Sequence, residues 1–299
     1  MRTGQFAISV LRQELDLDLT FGSGQTFRWN RNSDCSWSGP LRQSWLTLAH
    51  QGDELNVTYS GLPVTPDDVR DFLRLDVRLS EVEEAGARAD RRLEPLFSRY
   101  RGLRILGQDP EECLLSFVCA VVTSIPRISS SISELSRIFG TTIDDVNSAF
   151  PDVSTLALAP AEELRVGGME FRCRNLSRAA NDLVQRGGRA HLQSLVGESY
   201  QDAVSILTSI PHVGRKVADC ALLFSLGFDS ASPLDTHTWR IVSALYNLPA
   251  HSKTPKGYEL VSCFFRDRFG PYSGWIQQYL YLFCLKSPRG ADFGGDLFL

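Results

Sequence analysis

The hydrophobic period changes once along this chain of 299 residues, near Pro66, and that change constrains the fold more than any other feature. Before it, apolar, aromatic and β-branched residues alternate or cluster as they do in strands. Phe21 to Trp29, Ser38 to Leu48 and Leu55 to Tyr59 are such runs, separated by turn-forming residues at Gly22, Asn30 to Ser33 and Gln51 to Asp53. After it, apolar residues recur every three or four positions, the spacing of one helix face. Strands followed by helices imply an α+β protein. The expected plan is an N-terminal antiparallel sheet with one wet face, then a predominantly helical lobe. The expected division is a β-sheet lobe with connecting helices over 1–105 and a helical lobe over 106–299, with an N-terminal strand or helix crossover as one way to join them.

A chain of this length can bury a sizeable core. Its 43% hydrophobic and 22% charged residues are those of an ordinary soluble protein. The net charge of -4 gives no global sign of a nucleic-acid partner, so local clusters must carry that argument. No apolar run reaches the roughly 20 residues that span a bilayer. The start, MRTGQFAISVLRQELDLDL, has acidic residues and no signal-peptide layout, so neither a membrane partner nor secretion is expected. The 7 cysteines are odd in number and lie in apolar settings. They suggest reduced thiols in a cytosolic or nuclear compartment: nucleus for a eukaryote, cytoplasm for a prokaryote. No CxxC and no compact four-cysteine cluster occurs, which argues against an iron–sulfur or structural zinc site. No cofactor and no metal are expected.

Asp109 can cap a helix, with Pro110 first and Glu112 third, ahead of the apolar run Cys113 to Val122. Ile128, Ile132, Leu135 and Phe139 share the next helical face, with Gly140 placed to stop it. Short helices follow Pro151 to about residue 190. Tyr200 to Ile210 is helical in pattern and is broken by Ile210-Pro211-His212-Val213-Gly214. A second helix runs from about Arg215 to Leu226, ended by Gly227. Asp235 can cap another, with Trp239, Val242 and Leu245 as its inner stripe, and a last helix spans Tyr272 to Phe283. The tail GADFGGDLFL is glycine-rich.

The two helices around Pro211 and Gly214 form a helix–hairpin–helix candidate. Gly214 is expected to supply a φ that other residues avoid, and the new helix start exposes N–H groups that can bind a DNA phosphate. A plain helical hairpin has the same spacing. Lys216 lies in the first turn, where the helix field disfavours a cation. An apolar rim acts the same way, and neutral amine is the form that attacks carbon. A surface lysine is the plainer reading. Asp235 serves equally as a helix cap or as a fixed anion beside positive charge developing on a sugar. Taken together, Lys216 and Asp235 supply a nucleophile and an electrostatic partner for N-glycoside cleavage, chemistry that needs no metal.

With those residues in view, Leu207 to Trp239 resembles the helix–hairpin–helix, Gly/Pro-rich loop, Asp superfamily of DNA glycosylases. The whole chain resembles the 8-oxoguanine DNA glycosylase family. The matching stretches are GQTFRW (24–29), WSGPL (37–41), DFLRLDVRL (71–79), QDPEECLLSFVC (108–119), VGRKVADC (213–220), PLDTHTW (233–239) and YSGWIQQYL (272–280). They stand in the family's order over nearly the full length.

The resemblance implies a bifunctional DNA glycosylase and apurinic/apyrimidinic lyase acting on oxidised guanine in double-stranded DNA, as a monomer. It assigns Lys216 as the nucleophile that forms a Schiff base and Asp235 as the essential aspartate. His237 would contact a phosphate, with Val213 and Gly214 of the hairpin. Gly24 would accept the N7–H of 8-oxoguanine through its carbonyl. Gln277 would read the polar edge of the base, with Tyr281 and Cys220 on its two faces. Arg127 and Arg172 would grip the orphaned cytosine, and Phe171 would wedge into the duplex. Arg165, Arg172, Arg174, Arg178, Arg186 and Arg189 form a local basic run offset by Glu170 and Asp182, which reconciles a mildly acidic chain with DNA. Surface arginines kept for solubility are the alternative.

Two departures from the family pattern matter. Val122 stands where an asparagine normally enters the gap left by the flipped base. Its side chain neither donates nor accepts, so weaker opposite-cytosine selectivity or a modified binding mode is expected. Cys284 replaces an aspartate that helps to fix the base, and Tyr281 adds a hydroxyl to the stacking aromatic. The competing readings are a glycosylase for another damaged purine, formamidopyrimidine or alkylated, and a non-catalytic damage-binding protein. Alkylated-purine enzymes of this superfamily often lack the nucleophilic lysine, and the Lys216–Asp235 pair weighs against a non-catalytic role.

Overall fold

The computed structural model describes residues 2–121, 123–248 and 254–287. Strands Thr3–Ser9 (β1), Asn30–Arg31 (β2), Trp37–Leu41 (β3), Ser44–Gln51 (β4) and Glu54–Gly61 (β5) form one antiparallel sheet in the order β1-β5-β4-β3-β2. Burial alternates along β4, so Leu46 and Leu48 enter the core while Trp45 and Thr47 stay half-exposed. The expected wet face is present.

Two strand expectations need correction. Ser38 to Leu48 is two strands around a turn in which Arg42 has a φ of 55°. Phe21 to Trp29 is irregular. Its backbone is tied by a side chain rather than by a neighbouring strand, because the buried Gln25 amide donates to the carbonyls of Thr20 and Arg104 (3.0 and 2.8 Å) and accepts from Leu106 N (2.8 Å). That arrangement frees Phe21 and Trp29 to stack at 4.2 Å, an aromatic contact worth about 1 kcal/mol beyond its burial.

The helices are Leu17–Phe21 (α1), Pro66–Phe72 (α2), Leu79–Ala89 (α3), Glu94–Arg99 (α4), Pro110–Cys119 (α5), Ile125–Phe139 (α6) and Val153–Leu158 (α7). They continue with Arg172–Arg186 (α8), Arg189–Ser194 (α9), Tyr200–Thr208 (α10), Arg215–Ser225 (α11), Thr236–Tyr246 (α12), Pro255–Phe269 (α13) and Ser273–Lys286 (α14). The expected cap of α5 forms, with Asp109 accepting from the amides of Glu111 and Glu112. Every residue from Cys113 to Cys119 is buried, and α5 packs against α8 and α11 as the middle of the helical core. α13 has no counterpart in the sequence reading, because its apolar residues fall among charged ones.

Two hydrophobic cores result. A smaller one sits under the sheet around Phe21, Trp29, Leu46, Val57 and Phe72. The larger one takes in Val82 of α3 and Leu96 and Phe97 of α4 along with the later helices. Phe97 packs edge-on against Tyr279 of α14 at 5.1 Å. Arg74 bridges the two cores with a forked pair of bonds to Asp229 (both 3.1 Å). Among the described residues no helix is long and apolar enough to cross a membrane.

Candidate active site

The hairpin forms where expected, but with a different strained residue. Gly214 has φ -82° and ψ 172°, an extended backbone open to any amino acid. The left-handed position is His212, at φ 65°. A Cβ added at Gly214 would meet nothing within 4 Å, so nothing inside the protein calls for glycine there. The open space instead admits an external group to the first N–H groups of α11, the geometry in which a helix start takes an anion. Val213 N is spent on the carbonyl of Ile210 (3.1 Å), so of the two hairpin residues expected at a phosphate only Gly214 keeps its surroundings free.

One turn of α11 separates Lys216 from Cys220, and both face a small, partly open cavity together with Asp235, Gly24, Gln277 and Tyr281. The structure thus brings together all six residues expected at the reacting sugar and the base. Burial pushes the Cys220 thiol up to about 11, with the neighbouring Lys216 pulling the other way. Asp235 caps α12 by accepting from Thr238 N at 2.8 Å, which leaves its second oxygen for other work. Gln277 donates to Thr238 Oγ1 (2.8 Å), while its buried Oε1 has no partner. A buried orphan acceptor is costly unless a ligand supplies a donor. Burial raises the Tyr281 hydroxyl well above its usual range.

Gly24 has φ 74°, and a Cβ there would lie 2.9 Å from Ile125 Cδ1 and 3.1 Å from Tyr281 Oη. The left-handed backbone calls for glycine, and a Cβ would also press on the tips of these two side chains. His237 stands edge-on to Tyr281 at 5.8 Å, with Nδ1 3.6 Å from the thiol of Cys284. Cys284 thus lies beside the residue expected to meet a phosphate, while the cavity itself is lined by other side chains.

Phe117 was hidden in the apolar run of α5, where nothing in the sequence separates it from core. It also lines the cavity, and Lys216 Nζ lies 4.6 Å from its ring centroid, within reach of a cation–π contact. The cavity holds about 40 Å³.

A second unanticipated group positions the pair. Asp219 points away from the cavity, fully buried, and accepts from Tyr200 Oη and Tyr258 Oη (both 2.7 Å). Tyr258 Oη in turn accepts from Leu234 N at 3.0 Å. The hydroxyl of Tyr258 thus joins the helix that carries Lys216 to the residue just before Asp235. Burial raises the Asp219 carboxyl to about 6, although Tyr200, Tyr258 and Arg215 all favour its charged form.

The residues expected at the opposite base gather elsewhere, on the turn ahead of α8 and the start of α6. Phe171 is 54% exposed, and the Arg172 guanidinium lies 5.4 Å from its ring centroid. Arg172 itself is 4% exposed and donates to the carbonyls of Gly168 (2.8 Å) and Val121 (3.5 Å), so in this structure it braces the turn from inside. Arg127 is half-exposed and pairs with Glu170. Val122 lies outside the described residues, as does the C-terminal tail. The basic run is partly neutralised: Arg186 pairs with Asp182, and Arg189 with Asp109 and Glu111. Among the described residues Arg165, Arg174 and Arg178 make no ion pair.

Known proteins share this fold. Residues 7–114 match the family model for the 8-oxoguanine DNA glycosylase N-terminal domain. The chain is 34% identical over 297 residues to the N-glycosylase/DNA lyase OGG1 of Arabidopsis thaliana, covering 94% of this chain and 81% of that protein. Among solved structures it superposes on MBOgg1 in complex with a low-affinity DNA ligand with a TM-score of 0.86, at 29% identity, over 96% of this chain and 99% of the other. It also superposes on the Clostridium acetobutylicum 8-oxoguanine glycosylase/lyase, bound to double-stranded DNA with cytosine opposite 8-oxoG, with a TM-score of 0.81 at 26% identity over 91% and 92% of the two chains. The chain belongs to the 8-oxoguanine DNA glycosylase family.

Proposed function

We propose that this protein removes 8-oxoguanine from duplex DNA opposite cytosine and then nicks the strand. The observation that carries the reading is the convergence of Lys216 and Asp235 with Gly24, Gln277, Cys220 and Tyr281 on one cavity. The lesion nucleotide swings out of the stack into that cavity. Tyr281 and Cys220 flank the base. The orphan Oε1 of Gln277 accepts from the N–H groups of its Watson–Crick edge, and the Gly24 carbonyl accepts from N7–H. Ordinary guanine has a lone pair at N7, so the same carbonyl repels it.

The Lys216 amine, having given up a proton, attacks C1′ as the C1′–N9 bond breaks, and the base leaves with the bonding electrons and a proton. The Asp235 carboxylate stabilises the positive charge that gathers on the sugar. The C1′–N adduct expels the ring oxygen, opening the sugar to a Schiff base. Loss of a proton from C2′ then drives out the 3′ phosphate. The start of α11 and His237 hold the flanking phosphates, and Phe171 fills the duplex. All of these groups come from one chain, which supports action as a monomer.

The test is base release from two duplexes that differ only in guanine or 8-oxoguanine opposite cytosine. Release from the lesion duplex alone is expected. Equal release from both, or from neither, would overturn the reading. A formamidopyrimidine duplex run alongside tests whether Tyr281 and Cys284 change the lesion range.

A further inference from the structure

The turn ahead of α8 has three left-handed residues in four positions: Gly167 at φ 53°, Gly168 at φ 76° and Glu170 at φ 49°. Two of them are glycines, which adopt that backbone freely. The third is a glutamate, which does so at a cost. Its carboxylate accepts from Arg127 Nη2 at 2.7 Å, with both side chains about half exposed (54% and 52%). An exposed ion pair of this kind contributes little net stability, less than the strained backbone takes away. Burial does not explain the residue either. On the reading above this surface meets DNA, where phosphates repel a carboxylate. Glu170 is thus unfavourable twice over unless its acceptor oxygens are used.

The pair has a distinct chemical shape. The Arg127 guanidinium lies along the turn, where a Cβ on Gly168 would come 3.3 Å from Nη2. It offers donors in a fixed fork, and Glu170 places acceptors directly beside them. The edge of an unpaired cytosine has one donor, the N4 amino group, next to two acceptors, N3 and O2. Thymine carries an acceptor, O4, where cytosine carries N4. Phe171, adjacent in sequence and exposed, fills the stack beside this edge.

We propose that Glu170 is a specificity-determining residue for the base opposite the lesion. Arg127 donates to N3 and O2 of the orphaned cytosine, and Glu170 accepts from its N4–H. Thymine is rejected because O4 faces the carboxylate and N3–H faces the guanidinium. Val122 has no hydrogen-bonding side chain, and the Arg127–Glu170 pair supplies the acceptor that it lacks. The proposal rests on the DNA glycosylase reading above.

The experiment measures kcat/KM for 8-oxoguanine opposite C, T, G and A in wild type, Glu170→Gly, Glu170→Gln and the double variant Glu170→Gly/Arg127→Ala. Glu170→Gly relieves the left-handed backbone, so it folds at least as stably as wild type, which a urea melt checks. The C-over-T ratio is expected to fall at least tenfold in both single variants, and further in the double, because the Arg127 fork also meets N3, an acceptor in cytosine and a donor in thymine. An unchanged C-over-T ratio in Glu170→Gly overturns the proposal. So does an equal rise opposite all four bases, which would make Glu170 a general electrostatic brake. If wild type cleaves opposite no base, the glycosylase reading itself falls and this proposal with it, an outcome distinct from the others.

Discussion

Side chains of the lesion cavity come from helices whose other faces are packed: Cys220 is 1% exposed and Gln277 is 2% exposed. The turn ahead of α8 is built the other way, with Phe171 open to solvent and Glu170 in a left-handed backbone. In the cavity, catalytic geometry and fold stability share the same contacts. In the turn, little stability depends on the exposed side chains, so base choice can change without unfolding the protein. Removing groups from each region should therefore separate chemistry, stability and selectivity.

The largest effect belongs to Lys216. Replacing it with glutamine should lower base release and nicking by on the order of 10⁴-fold, with unfolding free energy changed by no more than about 0.5 kcal/mol. Single-turnover assays and a urea melt check the two halves. Asp235→Asn comes next. Asparagine caps a helix as well as aspartate does, so the melt should hold while kcat falls by about 10²- to 10³-fold. Asp235→Ala should lose the same activity and about 1 kcal/mol of stability as well. If Asp235→Asn kept wild-type kcat, the aspartate would be a cap and nothing more.

Tyr258→Phe tests whether the packed face of α11 governs the chemistry. It removes one hydroxyl and leaves the Leu234 N–H without its partner, at about 1–3 kcal/mol. It should lower kcat about tenfold with KM unchanged, through misplacement of Asp235. The neighbouring Asp219 has a pH signature. Its carboxyl is raised by burial from 3.8 to about 6, so between those values the folded protein holds a proton that the unfolded chain has released. Stability from this group is present below about 4 and is lost as pH rises to about 6. Asp219→Asn should flatten that slope in urea melts. The smallest effect is expected at Phe171: Phe171→Ala should leave the melt within about 0.5 kcal/mol and lower kcat/KM by about 1 kcal/mol, the lower end of the loss of one stacking aromatic.

The helical half was legible because local rules agree there. Asp109 and Asp235 cap the helices they were expected to cap, and Gln277 and Tyr281 reach one cavity because four residues is one helical turn. The sheet half was less so. Phe21 to Trp29 reads as a strand by composition, yet the Gln25 side chain takes over the hydrogen bonds a strand would make. The same limit hid Phe117 and Tyr258. An aromatic that lines a site and one that fills a core look alike until their neighbours are known. Gly214 shows the reverse: the residue was expected for its backbone freedom, and the structure gives it an ordinary φ and open space. Glu170 could be read only as a charge offsetting a basic run, because its partner lies 43 positions away in the sequence.

The account stands on Lys216 as the nucleophile. The direct measurement is borohydride trapping with a duplex carrying 8-oxoguanine opposite cytosine, run with wild type and Lys216→Gln. The account predicts a covalent protein–DNA adduct with wild type alone, mapped to Lys216. An adduct of equal yield with Lys216→Gln, or lesion release by wild type with no adduct, would contradict it.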